Sequence, residues 1–165
     1  MIIETERLIL REMSADDFNA LYAVLADSDI MQHYPYSFDE KRVRNWIEKN
    51  IERYRIFGFG LWAVCLKETG EMIGDCGLTM QLINDIIKPE IGYHIRKDHQ
   101  RKGYAREASV AVRDWTFNNT PFNVIYSYIF SFIITVYVVF CCFFLYRKLS
   151  YPILPLLSMH KLSHV

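Results

Sequence analysis

The stretch PEIGYHIRKDHQRKGYAREA, Pro89 to Ala108, decides how the rest of the chain is read. Its first part alternates: Ile91, Tyr93 and Ile95 fall on one face and Glu90, Gly92 and His94 on the other, which predicts a strand. Arg96 to Lys102 is polar and basic. From Gly103 the period changes to helical, with Ala105, Ala108, Val112 and Trp115 on one side. A strand, a glycine-bearing basic loop and a helix start together make an anion site. The first amides of a helix have no partner inside it, and the helix dipole adds partial positive charge at the same end. Gly103 lets backbone approach a phosphate without a side chain between them, and Arg101 and Lys102 add full charges.

Outward from this stretch the chain divides into readable elements. On the N-terminal side, Glu6 to Glu12 alternates weakly and reads as an antiparallel strand. Ser14 opens a helix with Asp17 as its capping-box partner, and Phe18, Leu21, Tyr22 and Leu25 form its apolar face. An aromatic loop, His33-Tyr34-Pro35-Tyr36, follows. Ser37 and Glu40 suggest a second capping box ahead of an amphipathic helix carrying Val43, Trp46, Ile47, Ile51 and Tyr54. Phe59–Leu66 and Met72–Thr79 read as strands joined by a hairpin at Glu68 to Glu71. Gly74 and Gly77 inside the second strand predict a bulge or a close backbone approach. Asn84 to Lys88 reads as a turn before the strand at Glu90. On the C-terminal side the helix ends between Asn118 and Pro121, and Val124 to Tyr128 reads as a further strand.

Composition bounds the function classes. A chain of 165 residues is one domain by length and can bury a core without staples. Lys plus Arg equals Asp plus Glu, for a formal net charge of 0, so no bulk field attracts nucleic acid. The cysteines are Cys65, Cys76, Cys141 and Cys142. They form no CxxC pair and no zinc spacing, so no metal is expected. Cys65 and Cys76 sit in apolar strand patterns and read as buried free thiols of a reducing compartment. The N-terminus lacks a basic region followed by an apolar core, so no secretory signal is expected. A dinucleotide site needs G-x-G-x-x-G beside a first parallel strand, and a P-loop needs Gly-Lys-Ser/Thr. The chain has neither.

Gln100-Arg101-Lys102-Gly103-Tyr104-Ala105 after an Glu90-Ile91-Gly92-Tyr93 strand resembles the Q/R-x-x-G-x-G/A signature of the GNAT superfamily of acetyltransferases. The opening Glu4-Thr5-Glu6-Arg7-Leu8-Ile9-Leu10-Arg11 is similar to the first strand of the branch that acetylates ribosomal-protein N-termini and small amines. The resemblance spans Met1 to Tyr128. It implies an α/β (α+β) fold, a mixed and mainly antiparallel sheet flanked by helices, and a fifth family strand parallel to the fourth. It also implies an acetyltransferase that moves an acetyl group from acetyl-CoA to a primary amine, on a protein N-terminus or a small molecule, by direct transfer. Gln100, Arg101, Lys102, Gly103, Tyr104 and Ala105 would hold the cofactor's pyrophosphate. The strand backbone at Tyr93, His94 and Ile95 would lie along the thioester arm. His33, Tyr34 and Tyr36 would contact the acceptor.

Acetyl transfer to an amine needs a neutral nucleophile, so a group must take a proton from the ammonium. Glu90, a carboxylate on the central strand, is the first candidate for this base. His94 and Asp75 are alternatives. The partners expected are an amine acceptor, with no nucleic acid, and the expected location is the cytoplasm. The oligomeric state stays open.

After Tyr128 the family pattern stops. The Asn-x-x-Ser, the late tyrosine acid and the Gly-Phe of the family do not appear, and no charged residue occurs between Asp114 and Arg147. The segment 129–165 is therefore read as an apolar tail outside the family domain at 1–128, with the C-terminal third of the fold replaced or truncated. Three readings of it stand open: a membrane helix within 124–146 that would attach the chain to a membrane, strands of a substituted core, or translation after a shift of frame. The frame shift is favoured over the membrane span. An inactive acyl-CoA-binding or membrane-attached remnant is the alternative function.

Overall fold

Alternation along the middle strands gives the sheet two covered faces. In the computed structural model, which describes residues 2–32, 34–83 and 85–127, five strands run in the order β1 to β5. They are β1 (Ile2–Glu4), β2 (Leu8–Arg11), β3 (Leu61–Leu66), β4 (Met72–Ile83) and β5 (Ile86–Ile95), each antiparallel to its neighbour. On β3, Trp62 and Val64 point to one face, where α3 (Tyr104–Asn119) buries Ala108 and Val112. Leu61, Ala63 and Cys65 point to the other face, under α1 (Phe18–Leu25) and α2 (Glu40–Phe57). The period of two thus builds both cores from one strand. The mixed, mainly antiparallel architecture implied by the resemblance is the one observed.

A β-bulge sits where β3 passes from Val64 to Cys65, with Val64 opposite Gly74 and Cys65 opposite Met72. It shifts the phase of β4. Ile73 lies in the α3-side core, and so do Cys76 and Leu78, whereas Asp75 turns to the α2 side. The glycines that signalled this are held by backbone. A Cβ on Gly74 would lie 2.0 Å from the carbonyl oxygen of His94, and one on Gly77 2.0 Å from that of Gly60. Neither obstacle is a flexible side chain, so both positions exclude larger residues.

Several boundaries move from their sequence expectations. The strand expected at Glu6 to Glu12 is β2, and ahead of it lies an unexpected strand, β1, paired with it from Ile2 opposite Arg11 to Glu4 opposite Ile9. Ser14 and Asp17 do form the capping box, but on a short 3₁₀ turn (Ala15–Asp17) that leads into α1. Asp17 is also gripped by Arg11 through two hydrogen bonds of 2.7 and 2.8 Å. Ser37 does not cap α2. Asp39 does, accepting from the Arg42 amide at 2.8 Å, so the helix starts at Glu40. Ile51, expected on the buried face, is 42% exposed, and Asn50 is fully buried in its place. Asn50 earns burial by accepting from Leu61 N at 2.9 Å and donating to the Trp46 carbonyl at 2.9 Å. Tyr22 is likewise outside its expected core, with Val24 inside.

The turn expected at Asn84 to Lys88 is shorter. Ile83 pairs with Ile86, so the β4–β5 hairpin closes over two residues, and Asp85 adopts φ 59. In the described part of the strand expected at Val124 to Tyr128, Tyr126 forms a parallel bridge with Glu90. Ile91 N donates to Tyr126 O at 2.8 Å and Tyr126 N to Pro89 O at 2.9 Å. The expected parallel direction is therefore present. Cys65 and Cys76 are buried free thiols, and burial pushes the Cys76 thiol up to about 12. His33, Asn84, Tyr128, Cys141, Cys142 and the whole apolar tail lie outside the described residues. Among the described residues no helix is long and apolar enough to cross a membrane.

Candidate active site

β5 ends at Ile95, and the basic loop begins with a 3₁₀ turn at Lys97–His99. Gln100 then ties the loop back to the strand, its Nε2 donating to the Ile95 carbonyl at 2.9 Å. Arg101 adopts φ 60 and Gly103 φ 85. The first is a left-handed conformation that costs a non-glycine residue roughly 1–2 kcal/mol, and the second opens α3. The first helical bond runs from Glu107 N to Gly103 O at 3.0 Å. The amides of Tyr104 and Ala105 therefore precede the helical ladder. A Cβ at Gly103 would meet only Arg7 Nη2, at 3.4 Å. An anionic diphosphate fits this donor set, because helix-start amides and the helix dipole meet at Gly103, with the cationic Arg101 and Lys102 adjacent in the chain.

The loop is braced from the other end of the chain. Arg7 donates through Nη1 to the Lys102 carbonyl at 3.1 Å and through Nε to Glu107 at 2.7 Å. Its guanidinium lies 4.6 Å from the centre of the Tyr104 ring. Glu107 also accepts from Thr5 Oγ1 at 2.6 Å and from Arg7 N at 2.8 Å. Burial pushes the Glu107 carboxyl up, but the hydrogen bonds from Thr5 and Arg7 outweigh it and hold the group below the usual carboxylate range. A cavity of about 890 Å³ adjoins this brace, lined by Thr5, Arg7, Gly103 and Glu107 together with α3 residues as far as Asn119. It lies between β1 and α3, so it is not the cleft that faces Glu90 and His94.

The opposite face of β5 carries the other candidate residues. Register places His94 opposite Asp75, Gly92 opposite Gly77 and Glu90 opposite Thr79. His94 Nδ1 is 2.7 Å from Asp75 Oδ1, and Trp46 Nε1 donates to Asp75 Oδ2 at 2.9 Å. Asp75 is wholly buried. The His94 ring lies among aromatic rings, 6.0 Å from Tyr34 and 5.7 Å from Trp46 between centroids. Tyr34 in turn packs on Tyr36 and Phe38. Burial, then the charges near it from Asp75, Tyr36 and Glu90, push the Tyr34 hydroxyl up to about 12.

The residues singled out from the sequence thus fall in two groups. Gln100 to Ala105 form the loop, with Gln100 a strut and Ala105 packed on the core. Tyr34, Tyr36, Glu90 and the His94 side chain gather on the α2 side. Tyr93 and Ile95 alternate to the α3 side, where Ile95 is buried in the core, so only their backbone lines the strand edge. Thr5, Arg7 and Glu107 were not expected as loop supports, and Trp46 was expected only as core. The Glu4-Thr5-Glu6-Arg7 opening was a signal for Thr5 and Arg7 only, and Glu107 had none. Among the described residues no cluster of His, Cys, Asp or Glu could hold a metal ion.

Comparison with known proteins identifies the family and the fold. Residues 7–132 match the model of the acetyltransferase (GNAT) domain. The uncharacterized protein YkkB of Bacillus subtilis (strain 168) is 36% identical over 120 residues, 72% of this chain and 70% of that protein. The uncharacterized N-acetyltransferase p20 of Bacillus licheniformis is 30% identical over 122 residues, 72% of this chain and 67% of that one. An acetyltransferase of Agrobacterium tumefaciens str. C58 has a crystal structure that superposes with a TM-score of 0.65 at 30% identity, over 78% of this chain and 74% of that chain.

Proposed function

The chain belongs to the GNAT family of acetyltransferases, and we propose that it moves the acetyl group of acetyl-CoA directly to a primary amine, on a peptide N-terminus or a small molecule. The observation that carries this reading is the opening of α3: a left-handed Gly103 at a helix start, with Arg7 clamped to the Lys102 carbonyl behind it. When bound, acetyl-CoA supplies an activated thioester, so the protein needs no nucleophile of its own. Gln100 to Ala105 bind the pyrophosphate, and the backbone of Tyr93 to Ile95 lines the thioester arm. His33, Tyr34 and Tyr36 contact the acceptor. Glu90, half-buried on the acceptor face, takes the ammonium proton and leaves a neutral amine. The acetyltransferase unit is assigned to residues 1–128, with 129–165 a separate apolar segment. The buried thiols suit a reducing cytoplasm.

The test uses the full chain. Calorimetry with acetyl-CoA measures binding, and thiol release with spermidine and with a short peptide bearing an N-terminal serine measures transfer. Binding with amine-dependent thiol release is the expected result. Binding without transfer to any amine would identify an inactive acyl-CoA-binding remnant, and no binding would remove the reading altogether. Glu90→Gln keeps the side chain's shape and removes its basicity. It should lower kcat and flatten the acid limb of the pH–rate profile, and an unchanged limb would take the role away from Glu90.

A further inference from the structure

Turning an ammonium into an amide removes two protons from the nitrogen. One leaves before attack, and the other as the C–N bond forms. Glu90, in the reading above, accounts for the first. The second calls for another acceptor on the same face, and β5 presents one. His94 follows Glu90 by four residues, so the two point the same way with their Cα atoms about 13 Å apart along the strand.

The hydrogen bonds around His94 determine which ring nitrogen carries its proton. Asp75 Oδ2 accepts from Trp46 Nε1, and Oδ1 faces His94 Nδ1 at 2.7 Å. An imidazole nitrogen holds a proton more tightly than a carboxylate does, so the shared proton rests on Nδ1. In the neutral ring Nε2 is then the lone-pair nitrogen. It faces the Tyr34 hydroxyl at 3.3 Å, a long contact that an incoming N–H can replace. Tyr34 stays a hydroxyl at neutral pH, being pushed up to about 12. It therefore donates to Nε2 and does not compete as a base. The bulge at Val64/Cys65 turns Asp75 to this face, directly opposite His94 in register, and the Gly74 backbone packs against the His94 carbonyl.

We infer that His94 is a second proton carrier of the transfer reaction, held in its reactive tautomer by Asp75. The inference rests on the acetyl-transfer reading. His94 Nε2 takes the proton the amine nitrogen sheds as that nitrogen bonds to the carbonyl carbon. The resulting imidazolium is stabilised by the Asp75 carboxylate on its other side. As the C–S bond breaks, the electron pair goes to sulfur and Nε2 returns the proton there, giving the thiol and neutral His94. Asp75 is a positioning residue, since it acts only through the ring. The titratable groups in contact with His94 are Asp75 on β4 and Tyr34 on the aromatic loop, and Tyr34 in turn senses the charges of Asp75, Tyr36 and Glu90. Arg42 of α2 stacks on Tyr36 at 4.3 Å. Tyr54 of α2 senses the Asp75 charge.

Nitrogen-15 NMR of histidine-labelled full-length protein, assigned with His94→Gln, reads the tautomer without any substrate. Nδ1–H at neutral pH is expected, with loss of that preference in Asp75→Asn. An Nε2–H tautomer or a ring already doubly protonated at pH 7.5 would overturn the inference. In thiol-release assays with acetyl-CoA and spermidine or the serine peptide, His94→Gln should lower kcat by about 10²-fold. Asp75→Asn should lower it while His94 is still present, with the pH profile displaced. A His94→Gln enzyme turning over within about twofold of wild type, with an undisplaced profile, would overturn the proton-carrier role. Failure of the unmutated protein to bind acetyl-CoA in the calorimeter would instead strike the reading of the whole site, and is seen separately.

Discussion

The loop at Gln100 to Ala105 and the face around His94 meet at the same end of β5, which closes at Ile95, yet they are built by different means. The loop acts through backbone: two positive φ angles, a helix start and an exposed clamp by Arg7. The face acts through side chains. A buried aspartate has both oxygens occupied by groups from α2 and β5, under a layer of aromatic rings. What the difference teaches is where tolerance lies. Conformation in the loop is set by one glycine and supported by groups in water, whose charge pairs are individually weak. Geometry on the face is set by a polar network inside a core, where each lost partner leaves another group unsatisfied.

The largest effect should come from breaking the face. Asp75→Ala leaves Trp46 Nε1 and His94 Nδ1 without their acceptor in a buried setting. Chemical denaturation should show a loss of about 3 kcal/mol. A loss below about 0.5 kcal/mol would mean that water replaces the carboxylate and that the face is as tolerant as the loop.

A smaller effect is expected from the loop. Gly103→Asp places a side chain and a negative charge where the diphosphate is proposed to bind, and forces a left-handed φ on a non-glycine residue. Acetyl-CoA affinity measured by calorimetry should fall at least tenfold, about 1.4 kcal/mol, with the fold retained in circular dichroism. Equal affinity in a folded variant would separate the anion site from this glycine.

The smallest effect sharpens the contrast through pH. The Glu107 carboxyl lies below the usual range in the folded protein, so the folded state binds fewer protons there than the unfolded chain. Its contribution is fully present above the unfolded value of about 4.3. It is lost as pH falls through the depressed folded value. Glu107→Gln should therefore cost about 0.5–1 kcal/mol at pH 7 and next to nothing at pH 2–3. Denaturation midpoints of the two proteins across that range measure the convergence. Parallel curves would show that Glu107 braces the loop by shape and not by charge.

The loop was legible because its requirements are local. A glycine at a helix start, basic neighbours and a change of period from two to 3.6 all lie within twenty consecutive residues. The hairpin at Gly70 and the bulge signalled by Gly74 and Gly77 were legible for the same reason: Gly70 takes a left-handed φ of 74, and Gly74 and Gly77 lie where a Cβ would strike backbone. Asn50 was not legible. A polar residue on an apolar helix face becomes a core residue only because the Leu61 amide arrives to meet it. Arg7 and Glu107 are 100 positions apart, so their pairing had no local signal.

By itself the sequence determined the strand–loop–helix order, the glycine that opens α3 and the family to which those residues point. Each depends on dihedral preference and periodicity, which neighbouring residues specify. Only the tertiary structure decided that Asp75, His94, Tyr34 and Trp46 form one network. The reason is phase: a single bulge between β3 and β4 flips Asp75 from one core to the other. The partner that makes the flipped carboxylate useful comes from the next strand, nineteen residues on.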